Sequence, residues 1–287
     1  MEHPIMNELF TIIIPCYKNS ELLEECLDSV LCQTYPQIEL IVCDDCSGDF
    51  DVHKYQKYIQ NNKTTRIIRY DVYSNSENMG TVKNLNRAIE KAHGHYIKIL
   101  AADDALADIS VLESVAHEFK HIDNDCILCD VLLCDNYLTP IQVADTGFIQ
   151  DMDDLDPDEC FRRLCVRNRI NAVGVFFKHS FFERNGLFDE KYHLLEDWPT
   201  WLRLYSRGEL ISHFQFVATK RRMAVGVVAN NNPAFLADRR LVWSDIIKPN
   251  RAKLGWLLYI KSFIGAYFFT IPLFRKIYYR FRKGDAQ

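Results

Sequence analysis

The stretch Phe10-Thr-Ile-Ile-Ile-Pro-Cys-Tyr-Lys-Asn-Ser20 decides the fold class. Its apolar, largely β-branched run over 10–14 shows no alternation, which predicts a strand covered on both faces and closed at Pro15. Ser20 then suits a helix N-cap, with Glu21, Glu24 and Glu25 in the first turns. Leu22, Leu23, Cys26, Leu27, Val30 and Leu31 recur at helical spacing until Tyr35-Pro36. The pattern repeats downstream. Strands are predicted at 38–43, 66–70 and 96–100, and helices near 51–62 and over 77–93, the last followed by Gly94 in the C′ position. Alternating strands and helices imply right-handed crossovers and a mostly parallel, twisted sheet flanked by helices, an α/β fold whose ligand site lies at the carboxyl ends of the strands. Those ends carry Pro15 to Asn19, Asp44-Asp-Cys-Ser-Gly48 and Ala101-Ala-Asp-Asp104, so two of the three hold paired carboxylates.

Composition narrows the class. The 287 residues are 48% apolar, enough for a large core, which excludes a disordered or fibrous chain. Net charge is −5, and no nucleic acid partner is expected of a chain without global positive charge. The charge is unevenly spread. Residues 251–283 hold eight Lys/Arg and no acid, which leaves 26 basic against 38 acidic residues, a net −12, in residues 1–250. The ten cysteines are too sparse for a disulfide scaffold, and the opening residues lack a signal-peptide pattern, so reduced, cytosolic thiols are expected. Cys43-x-x-Cys46 and Cys126-x-x-Cys129 have zinc-like local spacing but sit on apolar runs far apart in sequence, and buried thiols suit them better.

The chemistry follows from the strand ends. There is no G-x-G-x-x-G after a strand and no G-x-x-x-x-G-K-[ST], which disfavours dinucleotide and P-loop enzymes. Carboxylates at Asp103-Asp104 suit a divalent cation that bridges to substrate phosphates. An Asp pair also suits a helix start, and two such pairs at neighbouring strand ends favour the ligand role. Glu196-Asp197 opens an amphipathic helix with Trp198, Trp201, Leu202 and Leu204; beside such apolar bulk a carboxylate can serve as general base, and capping is the competing role. Arg221-Arg222, after a strand-like 214–218, are either a surface pair or a loop that covers a diphosphate, the role assigned to Arg222.

Taken in order, Ile12-Ile-Ile-Pro-Cys-Tyr-Lys-Asn19, Glu39-Leu-Ile-Val-Cys-Asp-Asp-Cys-Ser-Gly48, Glu77-Asn-Met-Gly80 with Asn86, Gly94-His-Tyr-Ile97, Asp103-Asp104 and Gly186 with Glu196-Asp-Trp198 resemble the inverting glycosyltransferases of family 2. The resemblance runs from residue 8 to about 205. It implies the GT-A fold, a Rossmann-like nucleotide-binding half at 8–105 and an acceptor half at 106–225, with a helical tail over 226–287. It implies that Pro15 and Tyr17 meet a uracil base, that Asp44 reads its N3–H, and that Asn19, Asn78, Gly80 and Asn86 complete the nucleotide-sugar site. Asp103 resembles the ribose or diphosphate contact, Asp104 the ligand of Mn²⁺ or Mg²⁺, and Asp197 the catalytic base with Glu196 beside it. The departures are Leu100-Ala-Ala-Asp-Asp104, which lacks an outer carboxylate; Leu85, where an Arg is usual before Asn86; and Ser47-Gly48-Asp49, a small shift. Lys83 is either a substitute for that Arg or a solvated helix residue.

The tail reads separately. Residues 254–274 approach bilayer-spanning length but include Lys261 and, near the end, Pro272. Ten aromatics interleave with the eight positive charges of 251–283, a pattern that favours an anionic membrane surface over a helical hairpin packed on the body or a true span. The expected activity is therefore transfer from a UDP-sugar to a polyprenyl-diphosphate-linked saccharide in bacterial surface polysaccharide (O-antigen) synthesis, performed peripherally at the cytoplasmic face of the inner membrane. A nucleotidyltransferase and a non-catalytic sugar-nucleotide-binding partner are the alternatives.

Overall fold

A computed structural model describes residues 8–144, 155–223 and 232–268. Within the first compact unit (Met1–Gly147, Asn171–Leu187 and Ile211–Val225) lies one mixed sheet. β1 (Phe10–Cys16), β2 (Ile38–Asp44), β3 (Ile67–Ser74) and β4 (Tyr96–Ile99) form its first half in the order β3-β2-β1-β4, every pair parallel. β2 is buried throughout and β1 nearly so, which is why their sequences show no alternation. The crossovers are α1 (Leu23–Leu31), α2 (Val52–Asn62) and α3 (Thr81–Glu90). Leu23, Leu27 and Val30 of α1 share a core with Ile12, Ile14, Leu40 and Val42, each such side chain contributing about 1.5–3 kcal/mol on burial.

Beyond β4 the pairing changes. β5 (Ala105–Leu106), β6 (Cys126–Cys134), β7 (Pro140–Val143), β8 (Val175–Lys178) and β9 (Ser212–Arg222) complete the sheet in the order β4-β8-β6-β9-β5, with β7 on β6. β8 runs antiparallel to both β4 and β6, β6 and β9 are parallel, and β5 and β7 are antiparallel additions. The parallel expectation thus describes the half from which it was read, and the remainder is mixed. α4 (Val111–Glu118) belongs to the same unit.

Three local readings change. Ser20 is not a helix N-cap: it opens a 3-10 turn (Ser20–Leu22) that follows Asn19, and α1 starts after Leu22 with no side-chain cap. Residues 77–80 are not helical: Met79 and Gly80 donate their backbone N–H groups to the Asp45 carboxylate at 2.8 Å each, and Gly80, at φ 83°, is the cap that precedes α3. Gly94 is not a C′ residue, because α3 ends at Glu90. It is needed for close approach instead: a Cβ there would lie 2.5 Å from the backbone N and Oγ1 of Thr11.

The second compact unit comprises Phe148–Ile170, Phe188–Leu210 and Gly226–Gln287. It holds α5 (Pro157–Val166), while α6 (His179–Asn185) belongs to the first unit; α7 (Asp197–Ser206), α8 (Pro233–Val242), a π-helical turn (Trp243–Ile247) and α9 (Arg251–Tyr267) complete the second. Trp198 of α7 is buried and donates Nε1–H to the Leu164 carbonyl at 2.9 Å. Arg239 of α8 stacks over Trp198 and donates to the Gly265 carbonyl of α9. The ring of Trp243 packs with those of Tyr259, Phe263 and Tyr267. No helix among the described residues is long and apolar enough to cross a membrane. The 225/226 boundary expected from sequence, Pro272, and the basic residues Arg275, Lys276, Arg280, Arg282 and Lys283 lie outside the described residues.

Candidate active site

The parallel half of the sheet delivers its loops to one end. Leaving β1, the chain is turned by Asn19, whose Oδ1 accepts from the Tyr17 backbone N–H at 3.0 Å and from the Cys16 thiol at 3.2 Å. The Asn19 side-chain amide donates onward to Asp103 at 3.4 Å, and the Pro15 carbonyl accepts from Ala102 N–H at 3.2 Å. Two strand ends are thereby fastened together. Tyr17 is half-buried, with the Lys18 ammonium 5.1 Å from its ring centroid.

Asp44 ends β2 fully buried. Its Oδ2 accepts from Ser47 N–H at 3.0 Å and Ser74 Oγ–H at 2.6 Å, and the Ser47 hydroxyl donates to Oδ1. Ser47 Oγ in turn accepts from Lys18 N–H at 2.9 Å, which joins this turn to the β1 loop. Asp45 faces the other loop: besides Met79 and Gly80 it accepts from Asn75 Nδ2, and its carbonyl accepts from Asn78 Nδ2 at 3.2 Å. Asn78 is exposed, whereas Asn86 is buried on α3.

The turn after β4 crowds two carboxylates. Asp103 and Asp104 are both buried. Burial first, and then the like charge of Asp103, pushes the Asp104 carboxyl up to about 7, against the opposing pull of Arg221, the Arg222 N–H and Lys98. Lys98, fully buried on β4, donates to the carbonyls of Val173 and Val175, and burial pushes its ammonium down to about 7. Arg222 is not on a loop, as its sequence context suggested; it ends β9. Its N–H donates to Asp104 Oδ1 at 3.1 Å, and its buried guanidinium donates to the Asp103 carbonyl, the Asn136 carbonyl and Glu25. The neighbouring Arg221 is the exposed member of the pair, held by Asn171 at 3.2 Å.

This donor set fits a divalent cation. Two adjacent buried carboxylates, one resisting ionisation without a counter-charge, supply hard oxygen ligands of the kind Mn²⁺ and Mg²⁺ take. Among the described residues no group of three or more His, Cys, Asp or Glu side chains is placed to hold a metal ion. Asp103 and Asp104 would therefore share the ion with phosphate oxygens and water.

In the second unit, Asp197 is the first residue of α7. Its Oδ2 accepts from Asn168 Nδ2 at 2.6 Å and its Oδ1 from Trp198 N–H at 2.6 Å. Burial, followed by the charges of Asp197 and Asp238, raises the Glu196 carboxyl to about 8. The turn ahead of this pair hangs on Asp238 of α8, whose buried carboxylate accepts the backbone N–H groups of His193, Leu194 and Leu195.

The family model of glycosyl transferase family 2 matches residues 11–186, more than half of the chain. The chain belongs to glycosyl transferase family 2. The family is defined on a region that includes every strand-end loop described above. A PGL/p-HBAD biosynthesis glycosyltransferase of Mycobacterium bovis (strain BCG / Pasteur 1173P2) is 26% identical to this glycosyltransferase over 223 residues, 77% of this chain and 79% of that protein. The crystal structure of S. aureus TarS superposes with a TM-score of 0.63 at 18% identity, covering 91% of this chain but 44% of that one. A mannosyltransferase from Pyrobaculum calidifontis, solved in complex with GDP-Man and Mn²⁺, gives a TM-score of 0.57 at 18% identity over 91% of this chain and 70% of that one. These likenesses establish the GT-A fold.

Several side chains that organise the site carry no motif. Asn75 and Asn84 hydrogen-bond to each other, and Asn84 reaches the Cys43 carbonyl. Arg87 donates to Asn75 Oδ1 at 2.8 Å, one residue after Asn86 rather than one before it. Lys98 did have a signal, a lone cation inside an apolar strand. Asn168 and Asp238 had none, since their partners lie about 30 and 45 residues away along the chain.

Proposed function

We propose that this chain is an inverting, metal-dependent glycosyltransferase that moves a sugar from a UDP-sugar to a lipid-linked saccharide, polyprenyl-diphosphate-linked in bacterial surface polysaccharide synthesis. It works peripherally at the cytoplasmic face of the membrane, against anionic lipid. The observation that carries the reading is the convergence of Asn19, Asp44, Asp103 and Asp104 at the carboxyl ends of the adjacent parallel strands β1, β2 and β4. Pro15, Tyr17 and Asp44 take the uracil, with Asn78, Gly80 and Asn86 shaping the neighbouring loop and helix. Asp103 meets the ribose or diphosphate. The exposed Arg221 is better placed than the buried Arg222 to meet phosphate, and Arg222 holds the Asp103-Asp104 turn.

Asp104, with Asp103, would hold Mn²⁺ or Mg²⁺, whose charge offsets the negative charge developing on the departing diphosphate. Asp197 is the base. It takes the acceptor hydroxyl's proton as that oxygen bonds to the anomeric carbon, while the carbon–phosphate oxygen bond breaks and its electron pair leaves with UDP. A single displacement inverts the configuration. Asn168 and the Trp198 N–H hold the two oxygens of Asp197 in place, and burial together with the Asp197 charge raises the affinity of Glu196 for a proton.

The test is a panel of UDP-, GDP- and CMP-sugars with Mn²⁺ and a polyprenyl-diphosphate-linked monosaccharide, with product read by mass spectrometry. Glycosylated lipid from a UDP-sugar alone is expected. Turnover only with GDP- or CMP-sugars would overturn the donor assignment, and UDP-sugar binding without product from any acceptor would favour a non-catalytic binder.

A further inference from the structure

Helix α9 is apolar on two sides and packed on one. After Leu254 the backbone breaks at Gly255, where φ is +67°, and a regular helix runs on to Tyr267. Ser262, Gly265 and Ala266 are buried, and the small side chains of this face admit Trp243 and Arg239. On the opposite face, Trp256 and Ile260 stand one helical turn apart with Leu257 beside them, 76%, 44% and 47% exposed. A helix apolar all round is ordinarily enclosed, and an open stripe of this kind marks a surface made to be covered.

Building on the peripheral membrane reading above, we propose that α9 lies in the plane of the bilayer interface and that Trp256, Leu257 and Ile260 are the side chains that enter it. Three observations select anionic lipid as the occupant. The other three tryptophans of the chain, Trp198, Trp201 and Trp243, are buried, so the exposed one is an exception, and an indole is the side chain that interfaces favour. The regular part of α9 is roughly 18 Å long at 1.5 Å per residue, too short to cross about 30 Å of hydrocarbon and suited to lying along it. The sequence from 251 to 283 carries eight positive charges and no negative one, complementary to an anionic surface.

The experiment uses the intact chain and its tryptophan emission, with vesicles of phosphatidylcholine alone or mixed with phosphatidylglycerol. Sedimentation with the anionic vesicles, together with a blue shift in emission that Trp256→Phe removes while binding remains, is expected. Ile260→Asp and Leu257→Asp should each weaken vesicle binding by about tenfold or more while leaving the thermal midpoint in place, since both side chains are solvent-facing. Binding without a shift, and indifferent to both aspartates, would overturn this face while leaving peripheral attachment intact. Absence of sedimentation with anionic vesicles would overturn both. A Trp256 emission already blue-shifted without lipid would also overturn the proposal, pointing to a second copy if it depends on concentration and to the chain's own C-terminal segment if it does not.

Discussion

Asn168 donates its side-chain amide to Oδ2 of Asp197 at 2.6 Å, so the carboxylate that opens α7 is aimed by a residue outside that helix. The Trp198 N–H holds the other oxygen at the same distance. If Asp197 is the base, Asn168→Ala should lower kcat by about ten- to a hundredfold through misplacement, with donor affinity unchanged. Steady-state kinetics beside UDP calorimetry separates the two effects.

The two carboxyls of the pair should behave differently. Asp197→Asn should cost about 10²–10⁴ in kcat, because it removes the proton acceptor without altering the donor site. Glu196→Gln should retain activity at pH 7 to within a few-fold, since burial favours the protonated, uncharged form of Glu196, which glutamine mimics. Equal losses in both variants, measured at saturating donor, would contradict this division.

Asp104 gives a pH dependence with a definite sign. Its carboxyl takes up protons more readily folded than unfolded, so the folded chain binds more protons between about pH 4 and 7, and this residue makes stability fall as pH rises through that window. Metal requires the ionised carboxylate, so stabilisation by Mn²⁺ with UDP should grow from pH 6 to 8. Thermal melts from about pH 4 to 8, with and without Mn²⁺ and UDP, check both slopes, and Asp104→Asn should flatten both.

Asp238→Ala should destabilise the second unit by about 3 kcal/mol, because the N–H groups of His193, Leu194 and Leu195 lose a shared acceptor and Leu195 is buried. Chemical denaturation followed by tryptophan emission reads this loss.

The parallel half of the fold was legible because unbroken β-branched strands, acidic helix starts and polar strand ends are local signals. The carboxylates at those ends were legible for the same reason: Asp44 and Asp103-Asp104 stop apolar runs that place them. What escaped was set by distance along the chain. Nothing near Arg222 announces that it will brace the turn at Asp103 and Asp104, and nothing near Gly94 announces the backbone of Thr11. The start of α3 was misplaced because Asp45, more than 30 residues away, holds the N–H groups of Met79 and Gly80 and keeps residues 77–80 from continuing the helix. Past β4 helices still separate strands, but β8 pairs antiparallel with both β4 and β6, a strand direction that alternation of strands and helices does not announce.

The central claim is a uridine diphosphate site that depends on a metal at Asp103 and Asp104. Calorimetric titration of UDP with and without Mn²⁺, on the unaltered chain and on Asp104→Asn, tests it most directly. The account predicts UDP binding at least about tenfold tighter with Mn²⁺, a difference of about 1.4 kcal/mol or more, and predicts that Asp104→Asn removes that difference. UDP affinity indifferent to Mn²⁺, or an Mn²⁺ effect that survives in Asp104→Asn, would contradict it.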